Sequence, residues 1–154
     1  MAMTVDEIVA TAQAKAKEAG QNSDMIIAQM GAIPPHAALM KYSLQADTLA
    51  FSFADAKTRG QKIFDKFETY VHDAVCTDFN YCSKRQQVDA DLKKYLPDIV
   101  KAIANKLPTS GQVPGWLGAI LAIFGITASS VEVIVTLFVA WLIIKGCDAM
   151  CHCA

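Results

Sequence analysis

The sequence predicts an all-α protein. Three observations carry this. No stretch alternates apolar and polar residues with the period of a half-buried strand. Hydrophobic residues recur in steps of three and four over the middle of the chain. Helix-start signatures of the form S/T-x-x-E appear at Thr4-Val5-Asp6-Glu7 and Ser129-Ser130-Val131-Glu132. The architecture expected is a bundle with one long central heptad helix (about 36–75) and a C-terminal hydrophobic helical hairpin (about 115–126 and 130–148).

The first helix opens at the Thr4–Glu7 capping box and runs to about Ala19, where Gly20 ends it. Its apolar face (Val5, Ile8, Val9, Ala12, Ala16) is thin and rich in alanine. Ser23 is placed to cap a short helix over 24–30, and Pro34-Pro35 break the chain.

The heptad helix follows. Tyr42, Ala46, Leu49, Phe53, Ala56, Gly60, Ile63, Phe67, Tyr70 and Ala74 alternate steps of four and three, a sustained seam. Leu49, Phe53, Gly60, Ile63, Phe67 and Tyr70 are its candidate contact residues, either inside a bundle or between copies of the chain. Ala46, Ala56 and Gly60 would admit a close partner helix.

A polar loop is expected over 76–84 and a short helix over 86–95. Pro97 restarts the chain as an amphipathic helix over 98–107, with Ile99, Val100, Ile103, Ala104 and Leu107 on one face. Residues 108–114, PTSGQVP, have linker composition. The implied organisation is a soluble amphipathic domain (1–107), a linker (108–114), a hydrophobic hairpin or membrane-inserting segment (115–148) and a Cys-rich tail (149–154).

The hydrophobic segment is the outlier. Between Trp116 and Ile144, 29 residues carry one charge, Glu132. Mean hydropathy is +0.28, and the apolar excess is local: residues 1–113 hold 13 basic and 13 acidic side chains, the remainder Lys145 against Glu132 and Asp148. One continuous helix over 116–144 would be about 43 Å long, too long for a hydrocarbon core of about 30 Å without strong tilt. Gly125, Thr127 and the second capping box split it into a hairpin instead. Trp116 and Trp141 lie 12 and 13 residues either side of Ala128. A hairpin would set both indoles at one height, as in an interfacial aromatic belt with Lys145 beyond.

The membrane-insertion residues expected are therefore Trp116, Leu117, Ile120, Phe124, Val135, Phe138, Trp141 and Ile143. Ser129 and Glu132 serve as a helix cap or as a polar pore element. In layout this resembles helical pore-forming toxins and effectors, which shelter a hydrophobic hairpin among amphipathic helices. That likeness implies a membrane-active protein that inserts its hairpin and oligomerises. The alternative is a structural or assembly protein, such as a capsid, filament or scaffold subunit, using the hairpin and heptad helix as interfaces. Partners are then a lipid bilayer and/or copies of the chain itself.

Other functions have little support. Net charge is −1 with no basic stripe, which leaves no footprint for nucleic acid. His36, His72 and His152 are scattered, no catalytic or phosphate-binding motif is present, and neither an enzyme activity, a cofactor nor a small-molecule substrate is implied. The N-terminus lacks a signal-peptide pattern, so the expectation is synthesis in the cytoplasm, membrane association through the C-terminus and reduced thiols. The five cysteines are an odd number, which disfavours a pure disulfide framework. Cys147, Cys151, His152 and Cys153 form a weak metal-binding candidate, with a frayed tail or S-acylation as the alternatives.

Overall fold

The computed structural model describes residues 3–33, 53–108 and 113–153, and the described residues are all-helical, without strands. Helix α1 spans Val5–Glu18 and α2 spans Ser23–Gly31. Helix α3, Phe53–His72, runs into a π-helical turn at Asp73–Asp78. A 3₁₀ turn at Tyr81–Lys84 leads to α4, Arg85–Ala90, and α5, Leu92–Lys106. Then come α6, Gly115–Phe124, α7, Ser130–Lys145, and the one-turn α8, Cys147–Cys151.

Local chemistry sets several of these bounds. The Thr4 hydroxyl accepts from the Glu7 N–H while the Thr4 N–H donates to the Glu7 carboxylate, and those bonds hold that carboxyl below its usual pKa. Asn22, rather than Ser23, caps α2, its side chain accepting from the Asp24 N–H at 3.0 Å. The break expected at Pro97 falls instead at Asp91, whose extended φ of −151° separates α4 from α5. Pro97 lies inside α5, and the helix continues through it without the backbone hydrogen bond that its ring removes.

Helices α2 and α3 cross with their backbones in contact. A β-carbon added to Gly31 would overlap the Ala56 carbonyl, and one added to Gly60 would overlap the Ile27 carbonyl. Glycine is required here because the partner helix occupies the side-chain space. Of the heptad seam, Gly60, Ile63 and Phe67 are buried and Tyr70 is half-buried. These residues pack into or against the protomer's own core. Leu49 and the seam positions before it lie outside the described residues, as does the Phe53 side chain.

The centre of the bundle is α7. Val131 and every residue from Ile134 to Ala140 are buried, as is Leu142. Its close neighbours are α1, α2, α5 and α8. A helix apolar on all sides needs apolar neighbours on all sides, and here the other helices of the same chain supply them. Thr136 is its one buried polar side chain, and its hydroxyl donates to the Glu132 carbonyl one turn earlier at 2.8 Å.

This arrangement corrects the membrane-inserting expectation. No described helix is long and apolar enough to cross a membrane. With 16 residues, α7 is about 24 Å long. Val135 and Phe138 lie in the protein core, and Trp141 and Ile143 are half-buried against it. Membrane association through the C-terminus has no helix to carry it, and the pore-forming role has no structural support.

Candidate interaction surface

Among the described helices, α6 leaves a broad apolar face open. Its sequence, GWLGAILAIF, contains no polar side chain. At 100° per residue, Leu117, Leu121 and Phe124 share one side, and the first two are buried while Phe124 is half-buried. The opposite arc runs through Gly118, Ala122, Ala119, Ile123 and Trp116. Along it Ile123 is 64% exposed and Trp116 is 40% exposed, with Ala119 and Ala122 also exposed. Ile120 is half-buried at the edge. A surface helix ordinarily turns charged residues to water; α6 turns glycine, alanine, isoleucine and tryptophan there.

The helix is held firmly at both ends. Pro114 precedes it in extended backbone, and its carbonyl accepts from the N–H groups of Leu117 and Gly118 at 3.0 Å. At the other end Gly125 takes the left-handed conformation (φ 66°), and the Ile126 N–H reaches back to the Leu121 carbonyl at 3.1 Å. That closure satisfies end carbonyls otherwise left unpaired.

Arg59 completes it. One guanidinium nitrogen donates to the carbonyls of Gly31 and Ile33 at 2.8 and 2.7 Å, and the other donates to the Phe124 carbonyl at 3.0 Å. A single cation thus bonds the C-terminal ends of α2 and α6, where the helix dipoles are negative. Toward the start of α6, the Trp116 indole stacks on Tyr70 with centroids 4.4 Å apart. Phe124 is therefore tied to residue 59 and Trp116 to residue 70, so α6 runs antiparallel to α3. Beside it lies an apolar groove of about 440 Å³, walled by Val113, Gly118, Leu121, Ala122, Ile126 and Ala128.

The two tryptophans do not form a belt. Trp116 rests on Tyr70, whereas Trp141 meets Phe64 at 5.2 Å, and Phe64 also stacks on Phe138 at 4.7 Å. Both indoles are seated on α3, which drew them apart from the equal-height placement a free hairpin would give.

Ser129 and Glu132 do not make the expected capping box. The Ser129 hydroxyl lies 2.8 Å from that of Thr127 and makes no cap bond. Glu132 instead accepts from the Met3 N–H at 3.1 Å, fastening the N-terminal segment to the first turn of α7.

The cysteines depart furthest from the expectation of reduced thiols. Cys76 bonds to Cys151 and Cys82 to Cys153. The C-terminal tail is thereby stapled to the turns that follow α3, across sequence separations of 75 and 71 residues. The set Cys147, Cys151, His152 and Cys153 is accordingly not assembled as a ligand cluster. His152 is exposed with left-handed backbone. Cys147 is free and buried, and burial, with Asp89 nearby, pushes its thiol up to about 12, so it stays protonated and unreactive.

Beside these bridges a polar chain links the same segments. The buried Tyr81 hydroxyl donates to Asp89 at 2.6 Å, Arg85 lies 3.9 Å from Asp89 and 3.6 Å from Asp148, and Asp148 accepts from the Cys153 N–H. Burial raises the Tyr81 phenol and keeps it a donor. Among the described residues, no group of three or more His, Cys, Asp or Glu side chains stands together as a metal site.

Arg59 and the cross-chain cysteine pairs are what residue-by-residue reading missed. Arg59 looks like any member of a polar helix face, and only its adjacency to Gly60 set it apart. No known protein family, curated protein or solved structure matches this chain.

Proposed function

We propose that this chain is a non-catalytic helical binding domain whose open α6 face takes an apolar helix of a partner protein, in the first instance a second copy of the chain. The supporting observation is the apolar arc of α6 from Gly118 to Trp116, exposed on a helix whose two ends are fixed by Pro114, Gly125 and Arg59. Contiguous apolar surface that is rigidly presented is characteristic of interaction sites, and a preorganised face loses little entropy on binding. Gly118, Ala119 and Ala122 allow a close approach, while Trp116 and Ile123 supply large anchors. The segment expected as one hydrophobic hairpin is thereby divided, α7 serving the core and α6 the partner.

Sedimentation velocity over a range of concentrations tests this. The wild-type chain is expected to dimerise reversibly, with Trp116 fluorescence shifting to the blue as it does. Ile123→Glu is expected to remain monomeric with an unchanged melting temperature. A wild-type chain that stays monomeric at all concentrations, with invariant tryptophan emission, removes self-association.

A further inference from the structure

Gly146 ends α7 at φ 86° and ψ 152°, backbone open essentially to glycine alone. Beyond it, α8 packs against α7, the π-helical turn and the 3₁₀ turn. With five residues α8 is one turn long, far short of the roughly 12–15 residues at which an isolated helix becomes even marginal in water. Cys147 and Met150 are its buried side chains. Its ion pair to the bundle, Asp148 with Arg85 at 3.6 Å, joins half-exposed groups, and such surface pairs contribute little. Against these stands the backbone entropy lost in ordering the segment 146–153. What fastens this tail is covalent: Cys76–Cys151 and Cys82–Cys153 tie it to the turns after α3.

We propose that the tail is a redox-sensitive latch, closed while both bridges are intact and released from α7 and the two turns when a dithiol reductant opens them, with the rest of the bundle still folded. The bridges are open to such a reagent. Cys82 is exposed, and Cys76, Cys151 and Cys153 are half-buried. Lys84 and Arg85, two and three residues after Cys82, favour the approach of an anionic thiolate. The remainder of the bundle has supports that contain no cysteine. Helices α2 and α3 meet at Gly31 and Gly60, Arg59 bonds the ends of α2 and α6, and α7 is enclosed by α1, α2 and α5 as well as by α8.

The chemistry balances. One thiolate of the dithiol attacks a sulfur of the bridge, the S–S bond breaks, and the second thiol of the reagent then resolves the mixed disulfide. Two electrons and two protons pass to the bridge, which becomes two cysteine thiols, while the dithiol becomes a disulfide. Oxidation by a small-molecule disulfide reverses both steps and closes the latch. Release bares Met150 and the thiol of Cys147, so the open state carries an apolar and a nucleophilic group that the closed state hides.

Cys147 reports on the latch, since it is only 1% exposed when the latch is closed. The full chain is alkylated with iodoacetamide, once oxidised and once after reduction with dithiothreitol and removal of the reagent without air. Mass spectrometry follows the Cys147 peptide, and hydrogen exchange follows α7 and the tail. Reduction is expected to speed alkylation of Cys147 at least about 100-fold and to quicken exchange over 147–153, while the amides of 134–142 stay protected. Oxidised glutathione should restore the slow rate. The variant Cys76→Ser, Cys82→Ser, Cys151→Ser, Cys153→Ser, in which Cys147 is the one thiol left, should behave as the reduced chain without any reductant. A Cys147 that stays shielded in the reduced chain or in that variant overturns the proposal. Loss of protection along α7 on reduction overturns it too, because the bridges would then hold up the whole bundle and not a separable tail.

Discussion

Helices α6 and α7 are both dominated by apolar residues, and the fold uses them in opposite ways. Each is apolar around most of its circumference. The longer, α7, is surrounded by α1, α2, α5 and α8 and exposes little beyond Val133. The shorter, α6, is anchored to α3 through Tyr70 and Arg59 and leaves its far side in water. Uniform hydrophobicity thus states a need for company without naming the company. What distinguishes the two is geometry: α7 has helices on every side, α6 on one.

The sharpest way to break this contrast is through glycines. Gly60→Ala should be the most damaging single change, destabilising the chain by about 4 kcal/mol or more, because the new methyl overlaps the Ile27 carbonyl and forces α2 and α3 apart. Gly118→Ala, on α6, should do the reverse. Its β-carbon meets only a Val113 methyl at 3.8 Å, and the gain in helix propensity is about 0.5–1 kcal/mol. Chemical denaturation of both variants measures the difference.

A second pair compares equivalent truncations in the two helices. Phe138→Ala removes a fully buried ring that stacks on Phe64, at an expected cost of about 3–5 kcal/mol. Ile123→Ala removes a side chain already in water and should change stability by about 0.5 kcal/mol or less. Similar losses in the two variants would mean that α6 is as enclosed as α7, and the contrast would fail.

A third test concerns the joint between α2 and α6. Arg59→Ala should cost about 1.5–3 kcal/mol, the scale for hydrogen bonds from a charged donor. Its signature is local: hydrogen exchange should quicken at the ends of both α2 and α6. Arg59→Lys, which cannot reproduce the planar fork, should recover only part of the loss. Quickening confined to α2 would show that α6 does not depend on this side chain.

Much of this was legible in the sequence. The all-α class, the Thr4–Glu7 cap and the amphipathic face of α5 follow from spacing alone, since each involves neighbours within one or two turns. What stayed hidden depends on residues far apart. Gly60 was legible as a place where a partner helix could come close, but nothing local named α2, with Gly31, as that partner. Cys76 and Cys82 gave no sign of pairing with Cys151 and Cys153 because the fold alone brings them together. The membrane expectation failed for a physical reason: an apolar run with one glutamate satisfies a bilayer and a bundle centre equally. The solvent-facing arc of α6 was named in part, through Trp116, but for contact with lipid.

The bond between the Met3 N–H and Glu132 has a practical consequence. It fixes the leading end of the described chain to the start of α7, while the Cys82–Cys153 bridge fixes the trailing end beyond its finish. Between these two attachments in the chain runs α7, a rod of about 24 Å. Fluorophores attached near residues 3 and 153 would make a molecular ruler, reporting by energy transfer whether that rod is intact without any probe entering the interior.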